Sequence, residues 1–267
     1  MQLYKDKKWL ETKLKEIGNK EQIGKLCGVS GDTIERWRKK LDIQQYPYKH
    51  PRKKYIVNSN FFNEIDTEEK AYWLGFIMGD GNIEKNNMRF NIILKEDDFE
   101  HLKKLNHSLS STYKILLQSI DDNRGFNTQR ANLRISSKEF CKSLNKNFIF
   151  PQKTGNELIP STVPDNLIKH FIRGFFDADG SVCKSSNRDY LRFNIASCSE
   201  KIIQQITSHL NNELNINLQY KEINRYSKPF FILESNSKNN TNKFLNYIYN
   251  NSNIYLDRKY NIWKKYV

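Results

Sequence analysis

The chain has 267 residues, which predicts about two domains, and 44 Lys and Arg residues against 30 Asp and Glu residues give a formal net charge of +14. Such a balance favours a polyanionic partner, with nucleic acid ahead of an anionic membrane surface. The sequence contains no run of about 18 apolar residues, which is the length that a membrane-crossing helix needs. The scattered cysteines predict a reducing compartment, and the first residues contain no apolar segment typical of a secretory signal, so we do not expect a secreted protein. The many Lys and Asn residues are typical of an AT-rich genome, so we expect a cytoplasmic protein of a phage or bacterium, or an organellar one.

Residues 1–45 are predicted to form a small all-α domain of the helix–turn–helix type. Ile23 and Leu26 are spaced for one helix face, Gly28 is a natural stop, and Ser30 is a natural N-cap for a helix over 31–41. The second helix of such a domain enters the DNA major groove. Its candidate DNA contacts are Thr33, Arg36 and Arg38. The alternative interpretation is an ordinary helical hairpin with a solvated basic face.

Residues 46–62 are predicted to form an extended basic linker, because two prolines interrupt the helical pattern. Lys53 and Lys54 are candidates for contact with a phosphate backbone. A solvated run of charge is an equally good interpretation of this segment.

The rest of the chain contains an internal repeat. The segment WLGFIMGDG at 73–81 matches IRGFFDADG at 172–180, and the match places Asp80 and Asp179 at the same position. An RFNI tetrapeptide follows each segment at a similar interval. Repeated landmarks in the same order indicate a duplicated structural unit.

Each unit shows the same order of predicted elements: a helix ending at Asp-Gly, a strand, an amphipathic helix, two strands and a closing helix. The predicted bounds in the first unit are 67–79, 88–95, 97–110, 113–120, 129–136 and a start near 137. Those in the second unit are 164–178, 190–197, 199–214, 216–224, 229–235 and a start near 237. Turns are predicted at 121–125 and 227–229. The alternating strands predict antiparallel sheets with one face in a core and one face free.

The two Asp-Gly helices are predicted to pack against each other. Each carries two small residues four positions apart, and these are Gly75, Gly79, Gly174 and Ala178. Close packing would bring Asp80 and Asp179 side by side, where their charges repel. A divalent cation relieves that repulsion, and oxygen ligands favour Mg²⁺ or a similar hard ion that can assist phosphodiester hydrolysis.

The two repeated segments resemble the motifs of LAGLIDADG homing endonucleases in their single-chain, two-motif form, over about residues 63–267. The resemblance implies an α+β fold of two pseudo-symmetric αββαββα repeats, at 63–160 and 161–267. The motif helices would form the interface between the repeats. Each repeat would carry a saddle-shaped antiparallel sheet that lies in the major groove of double-stranded DNA.

The resemblance also implies roles for individual residues. Asp80 and Asp179 would bind Mg²⁺ or Mn²⁺ and each cleave one strand, and the backbone carbonyls of Gly79 and Ala178 would join them as ligands. Lys153 and Lys259 match the basic residue expected near each site, which would stabilise the transition state or polarise the water. The expected DNA contacts from the sheets are Arg89, Asn91, Lys95, Arg134, Arg192 and Asn194.

One motif position departs from the family pattern. The sixth residue, often acidic, is Met78 in the first copy and Asp177 in the second. The resemblance implies that this position serves the interface or a helix cap and not the metal, so activity is still expected.

The sequence thus predicts a monomeric, site-specific DNA endonuclease that acts in intron homing, and the resemblance implies that it leaves four-base 3′ overhangs. Two alternatives stay open: a non-catalytic transcription regulator with this architecture, and an RNA maturase whose partner would be its host intron RNA.

Overall fold

The computed structural model describes residues 2–44, 55–121, 127–186, 188–223 and 229–267. The chain divides into two compact units, Met1–Tyr55 and Ile56–Val267. The predicted phosphate contacts Lys53 and Lys54, and most of the two predicted turns, lie outside the described residues. In the described part of the chain, no helix combines the length and the hydrophobicity that a bilayer crossing requires.

Over its described residues, 2–44 and 55, the N-terminal unit contains three α-helices around a small core. They are α1 (Lys7–Ile17), α2 (Lys20–Cys27) and α3 (Gly31–Lys40). Gly28 ends α2 in the left-handed region at φ 67°, and the Ser30 hydroxyl oxygen caps α3 by accepting from the Thr33 backbone N–H. Ile23 and Ile34 are fully buried, whereas Leu26 is 66% exposed. The predicted stop and cap are therefore present, and Leu26 does not share the buried face of Ile23.

The first half of the larger unit forms a four-stranded antiparallel sheet in the order β1-β2-β4-β3, covered by helices. Its elements are α4 (Glu68–Asp80), β1 (Gly81–Ile83), β2 (Arg89–Lys95), α5 (Phe99–Ser108), β3 (Ile115–Asp121), β4 (Asn127–Ser136) and α6 (Lys138–Asn145).

The second half repeats the pattern with the sheet order β5-β6-β8-β7. Its elements are α7 (Ile168–Asp179), β5 (Gly180–Lys184), β6 (Leu191–Ser197), α8 (Glu200–Leu214), β7 (Tyr220–Glu222), β8 (Phe231–Ser235), α9 (Lys238–Tyr249) and a further helix, α10 (Asp257–Lys264). Two αββαββα repeats confirm the predicted α+β fold class.

The sequence did not predict three of these elements, and the predicted bounds of two others differ from the observed ones. Strands β1 and β5 start directly after the motif helices and are too short, or too polar, to show alternation. Helix α10 was not predicted either. Helix α7 starts four residues later than expected because Pro164 leads into a short 3-10 turn at Asp165–Leu167. Strand β7 keeps only the middle of its predicted range.

The motif helices α4 and α7 pack with their backbones in contact, as their small residues predict. A Cβ added at Gly75 would lie 2.0 Å from the Phe171 carbonyl oxygen, and one added at Gly174 would lie 1.9 Å from that of Tyr72. Any side chain at these two positions would push the helices apart. One hydrophobic core consequently runs through both repeats.

Candidate active site

Asp80 and Asp179 lie together at the adjoining C-terminal ends of α4 and α7. Each helix ends at its aspartate because the following glycine, Gly81 or Gly180, has extended backbone. A Cβ added at Gly79 would lie 2.5 Å from the Ala178 Cβ and 2.9 Å from Asp179 Oδ2. The Asp179 carboxylate therefore rests against the backbone of the opposite helix, and only glycine at 79 leaves it that space.

Both carboxylates have a higher pKa than an ordinary aspartate. Loss of water around Asp80 raises its pKa to about 6, although the ammonium groups of Lys259 and Lys153 act in the opposite direction. Asp179 is exposed as a residue. Protein atoms packed around its carboxylate nevertheless remove water from it, and together with the charge of neighbouring Asp80 they raise the pKa of Asp179 to about 7. Crowded carboxylates with such pKa values are typical of sites that bind a cation or transfer a proton.

The donor set fits a hard divalent cation that needs further oxygen ligands. Among the described residues, neither the Asp80 nor the Asp179 carboxylate has a hydrogen-bond or ion-pair partner. In the same part of the chain, no three His, Cys, Asp or Glu side chains come together as a complete metal site. Two carboxylates and the adjacent backbone carbonyls of Gly79 and Ala178 supply only oxygen, which suits Mg²⁺ or Mn²⁺ when phosphate and water complete the shell.

Lys153 reaches the site from the loop that follows α6. Its Nζ donates to the Gly79 carbonyl oxygen at 2.6 Å, and the side chain is buried. The loop is fixed by Gly155, which has φ +89° and whose backbone N–H donates to the Glu157 carboxylate at 2.8 Å. Burial lowers the pKa of Lys153, whereas Glu157, Asp179 and Asp80 raise it. The predicted proximity of this lysine to the first motif is present.

Lys259 reaches the end of the second motif helix from α10. Its Nζ donates to the carbonyl oxygens of Phe176, Asp177 and Gly180. An ammonium group has three donors, so all of them are used on the backbone. A cation at a helix C-terminus also interacts favourably with the helix dipole. Burial nevertheless lowers the pKa of Lys259 to about 8, against the raising effect of Asp177 and the two site carboxylates.

Asp177 lies in the protein interior and joins both repeats. Its carboxylate accepts from the Tyr72 hydroxyl of α4 at 2.8 Å, from the Tyr249 hydroxyl at 2.6 Å and from the Leu256 backbone N–H at 2.7 Å. The Tyr72 hydroxyl also lies 3.0 Å from His101 Nε2. The expectation that the sixth motif position serves the interface agrees with these contacts.

Three charged groups near the site were missed by sequence reasoning: Asp98, Arg258 and Glu157. The Arg258 Nε donates to both Asp98 carboxylate oxygens at 3.0 Å, and the Asp98 charge raises the pKa of Asp80. Asp98 stands in an acidic EDD triplet that is typical of a solvated turn, and its partner is 160 residues away. Nothing in the sequence links the two.

Four of the predicted DNA contacts share one sheet face. The first sheet face is the side of sheet β1–β2–β4–β3 that points away from the core. It carries Arg89, Asn91, Ile93 and Lys95 on β2, Arg130, Asn132 and Arg134 on β4, and Leu116 and Gln118 on β3. Arg89 and Arg134 both pair with Glu84.

The second sheet face is the corresponding side of sheet β5–β6–β8–β7. It carries Arg192, Asn194 and Ala196 on β6, Ile232 and Glu234 on β8, and Lys221 on β7. Arg192 Nε lies 3.1 Å from Cys183 Sγ, and Lys221 pairs with Glu234. The predicted contacts Arg192 and Asn194 are thus on the expected side of the sheet.

The predicted contacts in the N-terminal unit differ from one another. Arg36 is exposed on α3, and Thr33 lies in its first turn. Arg38 forms an ion pair with Glu35 and donates to the Ile43 carbonyl oxygen at 2.6 Å. Arg38 therefore stabilises the end of its own helix, and Arg36 is better placed for a phosphate.

Comparisons with known proteins identify both repeats. The family model described as a LAGLIDADG-like domain matches residues 166–249, and the one described as the WhiA LAGLIDADG-like domain matches residues 69–128. The chain is 26% identical over 184 residues to an uncharacterised protein, MJ0314, of Methanocaldococcus jannaschii, and the match covers 66% of each chain. Two other proteins of that organism are matched over 24% and 7% of their lengths.

Solved structures with a similar fold include DNA-bound endonucleases. The complex of I-DmoI with DNA and Ca superposes with a TM-score of 0.48 at 20% identity, covering 78% of this chain and 99% of that one. Full-length DUF199/WhiA from Thermatoga maritima gives a TM-score of 0.45 at 16% identity, covering 79% and 65%.

Proposed function

The chain belongs to the LAGLIDADG family, and from that premise we propose that it is a site-specific endonuclease that cuts both strands of a long DNA duplex with divalent metal ions. The observation that carries the proposal is the pairing of Asp80 and Asp179. They are brought together by the packed motif helices, they lack any partner in the described residues, and their pKa values are raised to about 6 and about 7.

Asp80, Asp179 and the carbonyl oxygens of Gly79 and Ala178 would hold Mg²⁺ or Mn²⁺, and the Gly79 oxygen would use the lone pair that does not accept from Lys153 Nζ. When bound, such an ion activates water and neutralises the charge that develops on the phosphate and the leaving oxygen. The protein's own part is to keep two carboxylates at a fixed spacing on a rigid helix pair, where phosphates from both strands can approach them.

The two lysines have different roles in this proposal. Lys153 donates one hydrogen bond, to Gly79, so its remaining protons can reach a phosphate oxygen and stabilise negative charge. Lys259 uses three donors on the end of α7, so we assign it as a positioning residue that fixes the backbone bearing Asp179.

Binding would use the sheet faces in the major groove, with the basic side chains on phosphates and the amides on base edges. The N-terminal unit would add a helix–turn–helix contact through Thr33 and Arg36. Since one chain supplies both aspartates, a monomer is sufficient for cleavage of both strands.

A non-catalytic DNA-binding regulator is the second candidate function. The match of the first repeat to the WhiA LAGLIDADG-like domain model favours it. The presence of both Asp80 and Asp179 favours the endonuclease instead, because a protein that only binds DNA has no need for two unpartnered carboxylates at one point.

The test uses a DNA duplex in which the two sequences that flank this reading frame are joined directly, with the frame itself removed. Cleavage of this duplex is measured in Mg²⁺ and in EDTA. We expect one double-strand break that requires Mg²⁺. Asp80→Asn and Asp179→Asn should each reduce it by at least about 100-fold, because each weakens the binding of the cation that would neutralise charge on the phosphate, while duplex binding persists.

Asp66→Asn is the matched control, since this aspartate lies just before the opposite end of α4 and is bound to Lys70. It should cleave like the unaltered protein. Sequence-specific binding without any Mg²⁺-dependent break would instead establish the regulator. Full cleavage by both aspartate variants would remove these residues from the mechanism.

A further inference from the structure

The middle row of the first sheet face carries two large aliphatic side chains and lies between two polar rows. Cross-strand register aligns Ile93 on β2 with Asn132 on β4 and Leu116 on β3. Ile93 is 39% exposed on a strand whose other face is buried, and Leu116 is 52% exposed on the edge strand β3, where Leu117 is 51% exposed as well. Large aliphatic side chains in the middle of an otherwise polar face indicate a surface that is covered in use.

The rows on either side carry positive charge. On one side Asn91 is aligned with Arg134, and Arg89 lies at the end of the same strand. On the other side Lys95 is aligned with Arg130. Four basic side chains surround the middle row, and two of them, Arg89 and Arg134, share the one carboxylate of Glu84. The rim therefore keeps a net positive charge, which is complementary to the phosphates of a nucleic acid and not to an apolar protein surface.

The asparagine side-chain oxygens on this face are not available to a base. The atoms Asn91 Oδ1 and Asn132 Oδ1 are shielded from solvent, and neither has a hydrogen-bond partner in the described part of the chain. Asn132 Nδ2 donates to Gln118 Oε1 at 3.2 Å. Ile93 and Leu116 are therefore the side chains of the middle row that can distinguish one base pair from another.

On these observations we propose that Ile93 and Leu116 contact thymine methyl groups, so that the first repeat specifies A·T pairs at the centre of its footprint. The C5 methyl of thymine is the apolar group that a base pair presents in the major groove. The inference rests on the proposed function only in requiring that this face binds duplex DNA.

The second sheet face provides an internal comparison. The corresponding row there is Ala196, Ile232 and Lys221, and Lys221 is held by Glu234. A small residue and a paired charge replace Ile93 and Leu116. The requirement for central thymine methyls therefore belongs to the first half-site.

The test uses the target sequence selected from a random duplex library by the full chain. Each thymine of that target is replaced in turn by deoxyuridine, which removes only the methyl group, and affinity is measured without Mg²⁺ so that no cleavage occurs. We expect one or two positions in the half-site bound by the first repeat to lose about fourfold in affinity per methyl, the value of one buried carbon.

The variants Ile93→Ser and Leu116→Ser remove every methyl group of these side chains and should each bind more weakly. Each should also lose the difference between thymine and deoxyuridine at one of these positions. Ile232→Ser on the second sheet face is the matched control and should leave that difference unchanged.

Specific binding that is unaffected by every deoxyuridine in the first half-site would overturn the inference while leaving the proposed function in place. Sensitivity that survives in both Ser variants would also overturn it. Absence of any specific duplex binding would refute the proposed function, and this inference with it. The deoxyuridine series uses the unaltered protein, so the inference stays testable even if a variant fails to fold.

Discussion

The two repeats have the same chain path but support their motif helices differently. In the first repeat, the end of α4 has Met78 in the core and a single hydrogen bond from Lys153 to Gly79. In the second, Lys259 binds three carbonyl oxygens at the end of α7, and the Asp177 carboxylate accepts three hydrogen bonds. Repetition of the backbone therefore does not require repetition of the polar contacts.

Within the described residues, the two halves of the site therefore differ: in the second repeat the polar groups are fully used in holding the helix end, whereas in the first repeat some donors stay free. The second half fixes its helix end with buried charge, which is costly to remove. The first half leaves its lysine with unused donors beside Asp80. Substitutions at equivalent positions should therefore have unequal effects on stability.

The largest difference is expected between the two lysines. Lys259→Met leaves three carbonyl oxygens without their donor and removes the cation that faces buried Asp177, so it should lower the free energy of unfolding by about 3–5 kcal/mol. Lys153→Met removes one hydrogen bond and should cost about 1 kcal/mol, while cleavage falls by about 100-fold. Calorimetry and cleavage rates measured on the same samples distinguish the two.

Equal losses of stability in the two lysine variants would mean that the halves are supported alike. A Lys153→Met protein that cleaves normally would remove Lys153 from the proposed mechanism. Lys153→Arg keeps the charge and should recover part of the cleavage rate.

The sixth motif position gives the next largest difference. Asp177→Asn places an amide among a backbone N–H and two hydroxyl groups that all donate to the carboxylate, so it should cost about 3 kcal/mol. Met78→Leu at the equivalent position preserves volume in an apolar site and should cost less than about 1.5 kcal/mol. Thermal unfolding of both variants checks the order, and a larger loss for Met78→Leu would contradict it.

Much of this architecture was predictable, because it depends on local pattern. The repeated Asp-Gly helices and the small residues at Gly75 and Gly174 predicted both the duplication and the close packing. In the N-terminal unit, the C-cap at Gly28 and the N-cap at Ser30 were also predictable from local sequence. The unequal roles of the lysines were not predictable, since the contacts of Lys259 with α7 span about 80 residues and depend on a helix, α10, that shows no clear periodicity.

The sheet faces show the same limit. Alternation along β2 placed Arg89, Asn91 and Lys95 on the free face. Strand register decides which residues of β3 and β4 stand beside them, and register is set by pairing across the sheet and not within one strand. The alignment of Leu116 with Ile93 thus became visible only in the structure.

The smallest expected effect is a pH dependence of stability that comes from the first repeat. Burial lowers the pKa of His101 to about 3, whereas an unfolded histidine has a pKa near 6.5. The folded state therefore holds fewer protons between these values, so stability is complete above about pH 6.5 and falls as the pH decreases toward 3. Linkage gives a loss of about 2 kcal/mol between pH 7 and pH 5.

His101→Gln should remove that loss, because glutamine does not titrate. It should flatten the decline in unfolding free energy relative to the unaltered protein, whatever it costs at pH 7. The raised pKa values of Asp80 and Asp179 act in the opposite direction, since they favour proton uptake by the folded state, and they are common to both proteins. His107→Gln on the exposed side of the same helix is the matched control and should keep the full decline. Parallel pH curves for His101→Gln and the unaltered protein would show that His101 takes up a proton without unfolding, and that its contact with Tyr72 does not depend on a neutral ring.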